Sequence, residues 1–246
     1  MAQETKGRFG YFQWSDKFNN EKPYYLYMDA PKGFPTSNFS TVPGPAETVH
    51  DLNQRNEEFN LDDQGFMVVR QSLCVKDFDQ ESVEKVYLPS LEKVLRGVVG
   101  QDAEIVWFDW RINLHQRQSI ESIAILAKEQ IRFSKAVAWR PYEGPVESFP
   151  IAVLDGSTVP KDKLVRVDVV RRSYVGESYY LLPHDSYKWY FINKQECEDV
   201  LLFKMYDSDE KAKAKCKTPT RNTLKLTKID VYIRLPSRLV QPELGS

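Results

Sequence analysis

The sequence has little of what most covalent and cofactor chemistries require. Histidine occurs only at His50, His115 and His184, and cysteine only at Cys74, Cys197 and Cys216. The thiols are odd in number and widely spaced, and no Cys-x-x-Cys occurs. That spacing excludes a zinc ligand set and predicts free thiols in a reducing compartment. The 11 glycines are scattered, and neither Gly-x-Gly-x-x-Gly nor Gly-x-x-x-x-Gly-Lys-Ser/Thr is present. Without a phosphate-cradling loop, nicotinamide and nucleoside triphosphate chemistry are not expected. A Gly-x-Ser-x-Gly elbow and a recognisable Cys/His pair are also missing, which argues against an activated nucleophile. No run of 18 apolar residues exists, and Met1-Ala-Gln-Glu-Thr-Lys has no signal-peptide core. The expectation is a soluble, cytoplasmic protein without membrane insertion. Charge of one sign is lacking too: Lys plus Arg is 34, Asp plus Glu is 35, and the net charge is −1. A nucleic-acid partner would call for a basic excess.

What is present suits a folded domain. At 246 residues, 41% of them hydrophobic, the chain can bury a core without staples. No linker or repeat divides it, so residues 1–246 read as a single domain. Aromatics are 13% of the chain, which suits a β-rich core or an apolar pocket. Residues 1–58 are punctuated by proline and glycine among Tyr24, Tyr25, Tyr27, Phe34 and Phe39. They read as an extended arm on the surface, with a flap over a pocket as the sharper reading. Residues 65–73 read as a strand. A helix is expected from about 79 to 96, with Asp79 as N-cap, a kink or split at Pro89, and an end at Gly97 and Gly100. Residues 104–109 read as a strand and 119–131 as a second helix, with Ile120, Ile123, Ala127 and Ile131 on one face. Strand patterns then dominate: 136–139, 151–154, 164–170, 177–182, 188–192, 200–205 and 228–235. Residues 207–217 read as an exposed charged loop. Few helices and many strands imply an α+β fold with a barrel or sandwich core.

Several longer motifs run in a fixed order. Trp139-Arg140-Pro141-Tyr142-Glu143-Gly144-Pro145-Val146 leads into Pro150-Ile151-Ala152-Val153-Leu154-Asp155. Upstream lie His50-Asp51-Leu52, Asn60-Leu61-Asp62-Asp63-Gln64-Gly65-Phe66 and Val106-Trp107-Phe108-Asp109; downstream lie Gly176-Glu177-Ser178-Tyr179, Lys188-Trp189-Tyr190-Phe191 and Val200-Leu201-Leu202-Phe203-Lys204-Met205-Tyr206-Asp207-Ser208. Together they resemble a family of natural-product oxygenases. That family includes the asaB-type hydroxylase/desaturases, the cephamycin 7-methoxylase small-subunit type and a fungal endoperoxidase. The resemblance implies the double-stranded β-helix, a jelly-roll or cupin-like barrel, of iron(II)/2-oxoglutarate oxygenases, with residues 59–240 as its core.

A 2-His-1-carboxylate iron site needs two imidazoles and a carboxylate on one face, usually written His-x-Asp plus a distant His. Here the matching segment reads His115-Gln116-Arg117, so a guanidinium stands where the carboxylate belongs. The family's distal His aligns with Thr220, and its 2-oxoglutarate-binding Arg-x-Ser has Lys225-Leu226-Thr227 as the nearest counterpart. Its asparagine two residues before the Trp is Val137, on the same strand face as Trp139. The resemblance therefore implies a member that has lost its iron triad, with no metal and no cofactor.

A redox-neutral enzyme follows as the expectation: a cyclase of Diels–Alder type folding an apolar natural-product intermediate into a reactive conformer. Trp107, Trp139, Trp189 and Tyr190, with His115 and Val137, are the candidate substrate-binding residues. Arg117, Arg140, Tyr187, Thr220 and Lys225 are candidate hydrogen-bond donors to a substrate carbonyl. The expected partner is a small hydrophobic substrate, and a homo-oligomer is compatible with the sequence. The alternatives are an iron(II)/2-oxoglutarate oxygenase with non-standard ligands, and a non-catalytic partner protein.

Overall fold

β-Branched and aromatic residues in runs of period two dominate the chain, and they build three sheets. The computed structural model describes residues 5–55, 58–72, 75, 77–113, 119–128, 132–147, 150–172, 174–209 and 213–214. Twelve strands are present among them: β1 (Thr5–Phe12), β2 (Tyr24–Leu26), β3 (Thr41–Asp51), β4 (Phe66–Arg70), β5 (Glu104–Asn113), β6 (Ser119–Lys128), β7 (Arg132–Pro141), β8 (Ala152–Leu154), β9 (Leu164–Val170), β10 (Val175–Leu181), β11 (Trp189–Phe191) and β12 (Asp199–Asp207). They pair in the orders β4-β12-β7-β6-β5, β1-β3-β11-β8 and β10-β9-β2. Many strands and, among the described residues, one α-helical stretch agree with the expected α+β class.

That stretch starts where Asp79 accepts a hydrogen bond from the Ser82 amide at 2.7 Å, as its N-cap position predicts. Helix α1 (Gln80–Ser82) runs into a π-helical turn (Val83–Tyr87) and then α2 (Leu88–Val99). Pro89 has no N–H to give, and the wide turn just before it accommodates the loss without breaking the helix. Gly97 lies inside α2, and only Gly100, at φ +109°, ends it. Leu88, Leu91 and Leu95 pack onto one face of the five-stranded sheet, against Ile120, Ala124, Ala138 and Leu202.

Two sequence expectations are corrected here. Residues 119–128 are not helical; they form β6, hydrogen-bonded to β5 on one side and β7 on the other. Ile120, Ile123 and Ala127 fit a helical period, yet Ser122, Ala124 and Leu126 continue the Ile120 face in a period of two. Pairing on both flanks decides between them, since strand stability is largely set by neighbours. Residues 129–131 of the expected helix lie outside the described residues. The 1–58 segment is not a surface arm either, for it supplies β1, β2 and β3. Pro43 and Pro45 are tolerated inside β3 because β11 pairs with it only from Val49 to Asp51, leaving the earlier part an edge on that side. Gly44 is required by a close approach: a Cβ there would stand 2.4 Å from Cε2 of the Tyr11 ring. The strand expected at 228–235, and most of the loop expected at 207–217, lie outside the described residues.

Candidate functional site

The two faces of β7 have different chemistry. Its cross-strand register places Ala138 beside Ser122 of β6 and Leu202 of β12, on the helix side of the sheet. Val137 is paired with Ile123 and Phe203 on the other face. Ile123, Val137 and Trp139 form a buried cluster there, extended by Val146, Ile151, Phe203 and Met205. The four-stranded sheet closes over this inner face: Tyr190 and Val153 pack with Phe66 and Leu201. The Tyr190 ring stands 5.6 Å from Phe66 and 5.4 Å from His50, which is its register partner across β3 and β11.

Polar groups share the inner face. Lys135 lies two residues before Val137, so its side chain leaves β7 on the same side. Arg111 of β5 pairs with Glu121 of β6, and Glu121 with Trp139, which carries that face to the sheet edge. Asp109 sits two residues before Arg111, past a register shift, and its carboxylate takes the Arg111 guanidinium at 2.7 Å. Lys135 is 9% exposed, and burial pulls its amine down to about 7, against a smaller upward pull from Asp109. The Asp109 hydrogen bond raises Arg111 further, and Tyr27, just beyond β2, is within electrostatic reach of it. Composition could not reveal this group. The period of two through Lys135, Val137 and Trp139 is the signal that could have.

The residues singled out from sequence separate onto different surfaces. Val137, Trp139 and Tyr190 reach the inner face. Trp107 packs on the helix side instead. Arg140 does too, fully buried, and donates to the Cys197 carbonyl, to the Gln71 carbonyl at 2.8 Å and to Gln71 Oε1 at 3.2 Å. Its guanidinium holds the chain together at the end of β7. Trp189 turns away from Tyr190, as neighbours on a strand must. It stacks on Phe9 at 3.8 Å and donates Nε1 to Glu47 at 3.1 Å. Tyr187 donates to the Leu182 carbonyl at 2.7 Å in that same cluster, and burial raises its phenol above the ordinary range. His115, Arg117, Thr220 and Lys225 lie outside the described residues.

Whether the described residues suit an iron(II) centre can be tested directly. Among them, no three His, Cys, Asp or Glu side chains converge on a point where a metal ion could sit. His50 Nδ1 lies 2.8 Å from the Arg55 guanidinium, and His184, exposed in a turn, bonds Ser186 Oγ at 2.7 Å. The described residues do not fit iron(II). Cys197, the one free thiol among them, is raised by burial rather than activated. No helix among them is long and apolar enough to cross a membrane.

The fold recurs in solved proteins. The solved structure of the iron and alpha-ketoglutarate-dependent endoperoxidase NvfI superposes with a TM-score of 0.68 at 22% identity, over 85% of this chain and 86% of that one. Residues 9–130 and 121–221 match the profile of the oxidoreductase/YMDC permease-like domain, and the chain belongs to that family. In sequence it is 26% identical over 233 residues to the Fe(II)/2-oxoglutarate-dependent dioxygenase nvfI of Aspergillus novofumigatus, covering 80% of this chain and 82% of the relative. It is 24% identical over 209 residues to the hydroxylase/desaturase efuI of Hormonema carpetanum, covering 65% and 70%. These similarities support the oxygenase family that the motifs suggested. They overturn the expectation of a cofactor-independent Diels–Alder cyclase, because the relatives carry names of oxidative enzymes.

Proposed function

We propose that this chain is an iron(II)/2-oxoglutarate oxygenase that acts on an apolar small molecule, with a ligand set departing from the usual His-x-Asp and distant His. The family match running from residue 9 to 221 carries this reading. His115, in the segment where the resemblance implies the proximal His, is the imidazole this reading assigns to the metal. The chain's own contribution is substrate positioning. Val137, Trp139 and Phe203 offer an apolar wall, and Tyr190 an aromatic one opposite. An apolar substrate held between them is fixed with few polar contacts. The cytoplasm is its proposed location and a homo-oligomer its compatible state.

The test is titration of anaerobically purified chain with iron(II) and then 2-oxoglutarate, read by tryptophan fluorescence and metal analysis. Stoichiometric iron and saturable 2-oxoglutarate binding are expected, both lost in His115→Ala while the thermal midpoint holds. Absence of saturable binding by the unmodified chain overturns the proposal.

A further inference from the structure

Large apolar side chains held in water by an ordered backbone are costly, and a contiguous group of them marks a docking surface. Among the described residues, Tyr25, Tyr27, Met28 and Phe34 form such a group, being 38%, 57%, 37% and 52% exposed. They belong to one hairpin. Leu26 donates its backbone N–H to the Thr36 carbonyl at 2.7 Å, and Asn38 donates to the Tyr24 carbonyl at 3.3 Å. Beyond these rungs, residues 27–36 are exposed throughout except at Ala30. The tip is a tight turn. Phe34 donates its N–H to the Pro31 carbonyl at 2.9 Å, and Gly33 takes the φ of +84° that a type II turn needs at its third residue. A Cβ at Gly33 would meet nothing within 4 Å, so the tip projects into open space. The base, by contrast, is fastened. Tyr27 donates its N–H to the Val170 carbonyl of β9 at 2.7 Å, and the Arg171 guanidinium lies 4.1 Å from the Tyr27 ring centroid. Arg172 holds the Asp29 carboxylate at 3.1 Å.

We propose that this hairpin tip docks the chain peripherally on an anionic phospholipid bilayer. Charge complementarity points there. Asp29 is paired to Arg172, which leaves Lys32 at the turn and Arg171 at the base with no carboxylate partner. The hairpin tip and its two arginine tethers thus carry a local charge of +2 on a chain of net −1. Asp168 and Glu177, on the neighbouring strands, are turned to Lys22 instead. The side chains suit the same partner. Tyrosine has an apolar ring and a polar hydroxyl and settles at headgroup level, while Met28 and Phe34 reach the acyl boundary. Size and shape separate a bilayer from a protein partner. The four side chains expose roughly 400 Å² together, half of what each side of a stable protein interface buries. A projecting tip offers no flat face to enlarge that area, whereas lipid headgroups part around a small projection. Tyr27 is within electrostatic reach of Arg111, so the base of the hairpin stands beside the β5 edge of the inner face. An apolar compound dissolved in the bilayer would meet the chain at that edge. This goes beyond the oxygenase reading and does not rest on it, since neither metal nor turnover takes part.

The experiment mixes the full chain with vesicles of phosphatidylcholine containing about 30% phosphatidylserine and reads the bound fraction by flotation. Binding is expected in about 0.1 M salt, and about tenfold weaker binding both on pure phosphatidylcholine and in about 0.5 M salt. Lys32→Gln should weaken it about fivefold, the worth of one cation at an anionic surface. The double variant Met28→Ser, Phe34→Ser should weaken it about tenfold or more, because bilayer affinity scales with the apolar area inserted. Val86→Ser removes an exposed valine on the helical stretch and should leave binding unchanged. All the substituted side chains are exposed, so thermal midpoints should hold. A marked fall with the tip variants would show that the tip packs on the chain itself and would overturn the proposal. Absence of binding to the anionic vesicles overturns it too, as does binding that the tip variants leave intact. A concentration-dependent dimer in sedimentation velocity, dissolved by the double variant, would make a second copy the occupant and likewise overturn it. Iron and 2-oxoglutarate are left out throughout, so failure here leaves the oxygenase test untouched, and the converse holds as well.

Discussion

The helix-side and inner faces of β7 use the same backbone for opposite purposes. On the helix side, Ala136, Ala138 and Arg140 alternate, with the two alanines 2% exposed and the arginine at 0%. Small side chains let α2 approach, and the one charge is tied to carbonyl oxygens of Cys197 and Gln71. On the inner side, Lys135, Val137 and Trp139 alternate, and the charge there is an amine beside the Asp109–Arg111 pair. Arg140 keeps its charge in a fully buried site by bonding carbonyl oxygens, whereas burial pulls the Lys135 amine down to about 7.

The sharpest way to break this comparison is Arg140→Leu. It leaves two backbone carbonyls and the Gln71 amide oxygen without their donor in a buried site. A loss of about 3–5 kcal/mol in urea unfolding is expected. Arg140→Lys should recover little of it, since an ammonium cannot reproduce the planar fork. Next in size, Ala138→Leu forces a larger side chain between β7 and α2 and should cost about 1–3 kcal/mol. A value near zero would show that the helix face is looser than its burial implies.

Lys135→Met should act in the other direction and depend on pH. Folding lowers the Lys135 amine from 10.5 to about 7. Between those values the unfolded chain binds more protons than the folded one, so native stability rises with pH across that window. The penalty is greatest at and below about pH 7 and fades above about 10.5. The Met variant lacks this rise, and roughly 1–2 kcal/mol of added stability at pH 7 is expected, shrinking to little at pH 10. Unfolding curves at both pH values check it, and a pH-independent difference would refute the assignment.

Local signals were the legible ones. Asp79 caps its helix through bonds made within three residues, and β9 covers Leu164–Val170 as its β-branched run predicts. The pairing of Val137 with Trp139 on one face was legible from the period of two. The segment 119–128 was not, because its isoleucines fit a helix as well as a strand and the choice is made by β5 and β7, far along the chain for β7's own partner β12. The candidate residues divide between faces where they were chosen by type. Trp189 and Tyr190 are neighbours on β11 and cannot line one cavity together. Trp107 and Arg140 were chosen as an aromatic and a donor, and both look toward α2 or its end of the sheet. Lys135 was passed over although it continues the Val137 face, since a lone lysine in a strand carries no motif. The likeness to natural-product oxygenases was legible in the ordered motifs, while the inference of a cofactor-independent cyclase did not survive comparison with its relatives.

The smallest expected effect separates an electrostatic role for the inner face from a packing one. Asp109 raises the Lys135 amine, and Arg111 lowers it. Asp109→Asn removes the raising carboxylate and releases Arg111 from its 2.7 Å ion pair, so the Lys135 midpoint should move further down. Arg111→Gln removes the lowering guanidinium and should move it up. Each shift is expected to be under about one pH unit, because both groups are partly solvated and their fields are screened. The midpoint is read from the pH dependence of the unfolding free energy in each variant, whose rise between about pH 7 and 10.5 shifts with it. Opposite shifts of similar size would establish that the pair tunes the amine. Shifts in the same direction would show that the substitutions merely loosen the sheet edge and let water reach Lys135, since added solvation raises the amine whichever partner is lost.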